Sequence, residues 1–183
     1  MEEFRSEQVR VWQDTTETGC ALVGLENERV RVGLLPEKGA DMFELTYRPP
    51  GVDVLWKSPW GPPSPYDLMG APSDSQGAWL EIYPGGWQTI FPNAGPACES
   101  RGALLGFHGE ASVRPWQWEI RKARGGPPEL SFTVRLRRTP FYLERRVVLD
   151  PHRPVLTIRE RIENRGGVEM PYVWGHHPAL GAP

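Results

Sequence analysis

Alternation of apolar and polar residues runs through most of the chain. In residues 28–35 (ERVRVGLL), Val30 and Val32 alternate with Arg29 and Arg31. Trp116, Trp118 and Ile120 alternate with Gln117, Glu119 and Arg121, and Leu130, Phe132, Val134 and Leu136 with Ser131, Thr133, Arg135 and Arg137. Ile158 and Ile162 alternate with Arg159, Arg161 and Glu163, and Val168, Met170, Tyr172 and Trp174 share one parity. Successive strand side chains point to opposite faces, so period two marks strands with one buried and one wet face, as in antiparallel sheets. Turn-forming runs separate them: RGGPP at 124–128, DPHRP at 150–154 and NRGG at 164–167. No window of helical length carries a 3.6-residue period. The expected fold is all-β, an antiparallel β-sandwich formed as a single domain over residues 1–183.

One stretch breaks the rhythm. Residues 58–105 are rich in Pro and Gly and strewn with aromatics, as in Pro59-Trp60-Gly61-Pro62-Pro63 and Tyr83-Pro84-Gly85-Gly86-Trp87-Gln88. Flexible linkers rarely carry so many large rings, and connections of this length in compact domains are usually functional. The stretch reads as a structured loop that forms a site.

Composition narrows the function. With 21 basic and 23 acidic residues the net charge is −2, which gives no electrostatic reason to expect nucleic acid or an anionic membrane surface. The Arg residues at 135, 137, 138, 145 and 146 read as solvent-facing strand positions. Cys20 and Cys98 form no close pair and read as reduced, buried thiols. The polar, acidic first residues lack an apolar signal core, and no apolar run is long enough to span a bilayer, so a cytoplasmic protein is expected.

Three of the four histidines lie in two short segments, Leu104-Leu105-Gly106-Phe107-His108-Gly109-Glu110 and Val173-Trp174-Gly175-His176-His177-Pro178. His108 is either a turn histidine bonded to backbone or a site residue approached closely by ligand across its flanking glycines. His176 and His177 follow the run at 168–174. If that strand continues, the two rings point to opposite faces and only one serves a given pocket. No metal set has convincing spacing, no GxSxG is present, and no Gly-rich phosphate loop follows a strand, so neither metal nor nucleotide cofactor is expected. His152 sits in a Pro-flanked turn and reads as surface. What remains is acid–base chemistry by one or two imidazoles in a cleft of aromatic and amide side chains. That mixture suits a sugar, with apolar C–H faces and hydroxyl rims. Trp87 and Trp174 stand out from the other tryptophans because they adjoin the unusual loop and the second histidine segment.

Phe107-His108-Gly109-Glu110 resembles the central "HG" segment of the aldose 1-epimerase (galactose mutarotase-like) family. Trp174-Gly175-His176-His177-Pro178-Ala179-Leu180-Gly181 resembles that family's His-Pro segment at a strand end. Residues 29–56, with Leu35-Pro36-Glu37-Lys38-Gly39-Ala40 and Val52-Asp53-Val54-Leu55-Trp56, resemble its N-terminal strands. The match spans nearly all of this chain but only the first part of a family member. The resemblance implies a twisted β-sandwich that binds a sugar in a cleft and interconverts α and β anomers without cofactor or metal. It makes His177 the acid that protonates the ring oxygen, a role suited to an imidazole with an ordinary pKa of about 6.5. It makes His108 the group that orients or polarises sugar oxygens. Asn93, Trp87, Gln88, Trp174 and His176 are the accompanying substrate-binding candidates.

Two departures follow. In many members an Asn-Arg pair precedes the "HG" segment, whereas Ala94 follows Asn93 here. The family's general base is a late glutamate, and no residue here matches it. Glu110 is the nearest acid to a site histidine, but its place before a strand suggests an exposed structural role. The sandwich is therefore expected to be incomplete at its C-terminal end, with impaired epimerase activity and open sheet edges through which the chain self-associates. The alternative is a non-catalytic carbohydrate-binding β-sandwich.

Overall fold

The computed structural model describes residues 8–67, 74–122 and 125–181. Its strands are β1 (Arg10–Thr15), β2 (Ala21–Glu26), β3 (Val30–Leu35), β4 (Asp41–Tyr47), β5 (Val52–Asp53), β6 (Trp87–Ile90), β7 (Cys98–Ser100), β8 (Ala103–Leu105), β9 (Gln117–Lys122), β10 (Pro128–Arg135), β11 (Phe141–Leu149), β12 (Leu156–Asn164) and β13 (Gly175–Pro178). One helix, α1 (Ser75–Glu81), interrupts them. The larger sheet runs β1-β2-β3-β4-β6-β13, with β5 added on β4, and the second runs β12-β11-β10-β9. β7 and β8 form a separate hairpin. All of these pairings are antiparallel. The expected all-β antiparallel architecture is the observed one.

The two larger sheets enclose a shared core. Val23, Leu25 and Val32 of the first belong to one apolar cluster with Phe132, Phe141 and Val147 of the second. Each such side chain taken from water contributes roughly 1.5–3 kcal/mol. β11 shows how the sequence encodes this: Phe141, Leu143, Arg145, Val147 and Leu149 are buried, and the residues between them are half-exposed. In the first sheet Trp12 lies flat over a gap left by glycine. A Cβ on Gly24 would stand 2.3 Å from the Trp12 ring, so glycine is required there by close approach.

Several expectations are corrected. Residues 168–174 are not a strand; Pro171 cannot donate to a ladder, and pairing resumes only at Gly175, so the histidine pair lies within β13. The 58–105 stretch contains α1, too short to display a helical period. It begins at Asp74, whose carboxylate accepts the Gly77 N–H as an N-cap. Arg145 is buried rather than solvent-facing, and so is Glu110, which accepts the N–H groups of Arg137 (3.1 Å) and Arg138 (2.9 Å). Cys20 is buried, but Cys98 is exposed.

Candidate functional site

β13 pairs with β6 so that His177 lies opposite Gln88 and His176 opposite Thr89. Adjacent positions face opposite sides of the sheet, and the surroundings differ accordingly. The His177 ring faces α1 and the turn at 106–109. Its centroid lies 5.7 Å from Trp79, 5.8 Å from Tyr83 and 5.5 Å from His108. The His176 ring turns toward the second sheet, with Nε2 3.0 Å from a Glu160 oxygen and its centroid 5.7 Å from Trp87. Trp174 flanks His176 at 6.2 Å.

The seven candidate residues therefore divide. His108 and His177 come together, with Gln88 fully buried beneath them and Asn93 buried in the adjoining loop. His176, Trp87 and Trp174 form a second group on the opposite face of β13.

His108 occupies a turn with φ 57°. That left-handed conformation is uncommon for a side-chain-bearing residue and is concentrated at functional sites. The Gly95 N–H donates to His108 Nδ1 (3.0 Å), and the His108 N–H donates to the Gly95 carbonyl (3.1 Å). Asn93 Nδ2 secures the same turn by donating to the Gly106 carbonyl at 3.0 Å. Gly109 lets the turn press onto Phe91, since a Cβ there would meet the Phe91 carbonyl oxygen at 2.2 Å. With Nδ1 occupied as an acceptor, the neutral ring carries its proton on Nε2. Burial pushes the His108 pKa down, and the neighbouring His177 adds to the effect. The neutral form of His108 is thus favoured, and its donor is Nε2.

Trp79 and Tyr83 were not singled out in the sequence, although their i, i+4 spacing in an aromatic loop is a usable signal. Trp79 is the buried residue of α1. It stacks on Tyr83 with centroids 4.6 Å apart and meets Phe107 and His108 edge-on at 5.5 and 4.9 Å. Its indole N–H donates to Ser112 Oγ at 3.1 Å.

Beneath this layer Lys38 and Asp41 are both fully buried. Lys38 Nζ donates to Asp41 Oδ2 (2.8 Å) and to the Ser112 carbonyl (2.6 Å), so Ser112 joins the ion pair to Trp79. Burial pushes the Asp41 carboxyl up despite the adjacent ammonium. Burial also raises the Tyr83 phenol, with a further contribution from the Asp41 charge. Nothing in the local sequence signals this burial.

On the other face, Arg145 Nε donates to Glu160 (2.7 Å) and Nη1 to the Ala40 carbonyl (2.7 Å). Burial opposes ionisation of Glu160, but the His176 hydrogen bond and the Arg145 charge outweigh it and hold the carboxyl at about 2. Glu160 and His176 thereby tie β12 to β13 across the two sheets.

Two surface cavities, of about 340 Å³ beside Arg29 and Arg48 and about 450 Å³ beside Arg101 and Tyr172, include neither His108 nor His177. Among the described residues no group of three or more His, Cys, Asp or Glu side chains is placed to hold a metal ion. No described helix is long and apolar enough to cross a membrane.

Solved structures share this fold. A galactose mutarotase-like protein from Clostridium acetobutylicum superposes with TM-score 0.69 at 12% identity, over 96% of this chain and 55% of its own. One from Lactobacillus casei gives TM-score 0.60 at 17% identity, over 88% and 50%. A galactose mutarotase related enzyme from Lactobacillus acidophilus gives 0.59 at 19%, over 88% and 49%. The chain spans about half the length of these structures. No curated protein matches it. The profile described as Domain of unknown function (DUF4432) matches residues 17–183, and the chain belongs to that family.

Proposed function

We propose that the face of β13 bearing His177 binds an aldose and supports acid–base ring opening of the aldose 1-epimerase type. The observation that carries this reading is the approach of His108 and His177 to 5.5 Å under an aromatic wall of Trp79 and Tyr83. Anomer exchange requires loss of the proton on the anomeric O1 hydroxyl and delivery of a proton to the ring oxygen. The C1–O5 bond breaks as the C1=O1 carbonyl forms. The open-chain aldehyde turns about C1–C2, and closure reverses both transfers. His177 supplies and recovers the ring-oxygen proton. His108, kept neutral and carrying its proton on Nε2, donates a hydrogen bond to a sugar oxygen. One charge on the pair is enough, because a proton on His177 opposes a second on His108. The half-buried Tyr83 ring, backed by the buried Trp79, offers its remaining apolar surface to the sugar C–H groups.

Among the described residues neither His108 nor His177 forms an ion pair with a carboxylate, so on this reading the two imidazoles act without an acidic partner and exchange is slow. Loss of one acid–base partner typically costs ~10²–10⁴-fold. The second reading, sugar binding without exchange, rests on the same observation. Polarimetry of freshly dissolved α-glucose and α-galactose separates the two, run beside Trp fluorescence titrated with each sugar. The expected result is quenching with slow exchange that His177→Ala abolishes. Quenching with no enzyme-dependent exchange favours the binding reading. Absence of both quenching and any sugar-induced shift of the histidine resonances refutes both. The expected cytoplasmic setting and self-association stand with these proposals.

A further inference from the structure

One row of the larger sheet holds three buried polar side chains, each with an unpaired atom. The ladder between β6 and β13 sets Gln88 opposite His177. The pairing of Met42 with Trp87 between β4 and β6 sets Asp41 beside Gln88 on its other side. Directly opposed residues on neighbouring strands project from the same face. Asp41, Gln88 and His177 therefore follow one another across three strands, on the face that carries the His108–His177 pair. Asp41 Oδ1, Gln88 Oε1 and His177 Nδ1 are each closed off from solvent and have no hydrogen-bond partner among the described residues. Buried polar atoms in native proteins are paired in the large majority of cases. Because these three are enclosed, their partners must come from side chains already packed around them.

Their chemistry decides how they pair with one another. Gln88 Nε2 donates to the Gly85 carbonyl, and Asp41 Oδ2 accepts from Lys38 Nζ at 2.8 Å. Turning the Gln88 amide over would set Oε1 against the Gly85 carbonyl, two acceptors facing each other. With the amide held as it stands, its second N–H serves Asp41 Oδ1, and its oxygen needs a donor on His177. Burial pushes the Asp41 carboxyl up, while Lys38, Arg145 and the Gln88 side chain pull it back down, in keeping with a Gln88 N–H beside it. A neutral imidazole that donates from Nδ1 has a bare Nε2.

We propose that Asp41 and Gln88 are positioning residues that hold the proton of neutral His177 on Nδ1. Gln88 Oε1 accepts from Nδ1–H, and Asp41, anchored by the fully buried Lys38, fixes the Gln88 amide. Nε2 is then the nitrogen left to a ligand, bare in the neutral ring and protonated in the imidazolium. The further step, that Nε2 gives and recovers the ring-oxygen proton, rests on the ring opening proposed above. His108 has the opposite tautomer, with Nδ1 accepting from Gly95, so the neutral pair presents one bare and one protonated nitrogen. Gln88, fully buried, acts through His177 rather than on the sugar.

The test is the nitrogen NMR spectrum of the histidine rings in the 183-residue chain without sugar, at pH ~9, where ordinary imidazoles are neutral. His177→Asn identifies the His177 signals by their loss. The expected result is a protonated Nδ1 and a bare Nε2 on His177, and the reverse on His108. Gln88→Met should move the His177 tautomer ratio about tenfold toward Nε2–H, the effect of one lost hydrogen bond. Gln88→Glu should keep the wild-type tautomer, because a buried neutral acid donates to Asp41 and still presents a carbonyl oxygen to His177. A wild-type His177 protonated on Nε2 overturns the proposal without need of any variant in the Asp41–Gln88 row. An unchanged ratio in Gln88→Met, or loss of the tautomer in a folded Gln88→Glu, also overturns it. Since no sugar is present, failure of the polarimetric exchange counts against the proposed reaction alone, and the tautomer decides the row.

Discussion

Glu160 offers the sharpest energetic test of how β12 and β13 are joined. Its carboxyl is held at about 2 instead of its ordinary 4.5, against burial, by the His176 hydrogen bond and the Arg145 charge. At ~1.4 kcal/mol per pH unit, that difference corresponds to roughly 3 kcal/mol of folding stability. Because the folded pKa is depressed, the contribution is fully present above 4.5 and is lost as the pH falls toward 2. Glu160→Gln removes it at every pH and also leaves the buried Arg145 without its counter-charge, a change that costs about 3–5 kcal/mol. That is a large part of the ~5–15 kcal/mol available to a typical domain. Urea unfolding followed by Trp fluorescence, repeated between about pH 7 and pH 2.5, should show the wild-type chain losing stability below pH 4.5 more steeply than the variant. The other carboxylates titrate in both proteins, so the difference in slope isolates Glu160. Parallel slopes, or a variant within about 1 kcal/mol of wild type at pH 7, would refute the account of a buried carboxylate shared by Arg145 and His176.

Two further outcomes test the other face of the sheet. In an NMR titration the His108 ring should take its proton below the ordinary histidine value, and His177→Asn should move that titration upward by removing the neighbouring charge. The depressed value also means that His108 favours folding above pH ~6.5 and that this contribution fades as the pH falls through the folded pKa; an unchanged His108 titration in His177→Asn counts against the pairing. Lys38→Met should cost about 3–5 kcal/mol at neutral pH by stranding Asp41, with partial recovery in acid as the carboxyl is neutralised, and Lys38→Met/Asp41→Leu should restore most of the loss; urea curves for the three variants at two pH values check it.

The strands were legible wherever one face meets the core and the other meets water. Residues 132–136 alternate in the sequence as they do in the fold, whereas Ser131 is buried beside them and Glu160 takes an inward position of β12. The run at 168–174 alternates equally well, yet Pro171 removes a ladder donor and no strand forms there, so pattern without backbone pairing misled. The aromatic content of residues 58–105, of which 58–67 and 74–105 are described, drew notice in the sequence, but the placement of Trp79 and Tyr83 depends on a helix only two turns long. Arg145, Glu110, Lys38 and Asp41 illustrate a different obstacle. Partners distant in sequence meet three of them: Glu160 meets Arg145, the 137–138 backbone meets Glu110, and the Ser112 carbonyl meets Lys38. Asp41, three residues from Lys38, is a local partner, but the pairing alone does not signal burial.

The period-two geometry gives the adjacent histidines of β13 separate tasks. One position sends its ring to the aromatic layer beneath α1, and the next sends its ring to the second sheet. His176 cannot join the His108–His177 group while it holds Glu160, and that tie fixes the strand from which His177 projects. The electrostatic anchor and the proposed acid are thus coupled through one short stretch of backbone, paired to β6. A perturbation at Glu160 should therefore reach the His177 ring without touching it, by loosening β13 against β6. The Gln88–His177 pair, opposite each other in that register, is where such loosening would first be felt.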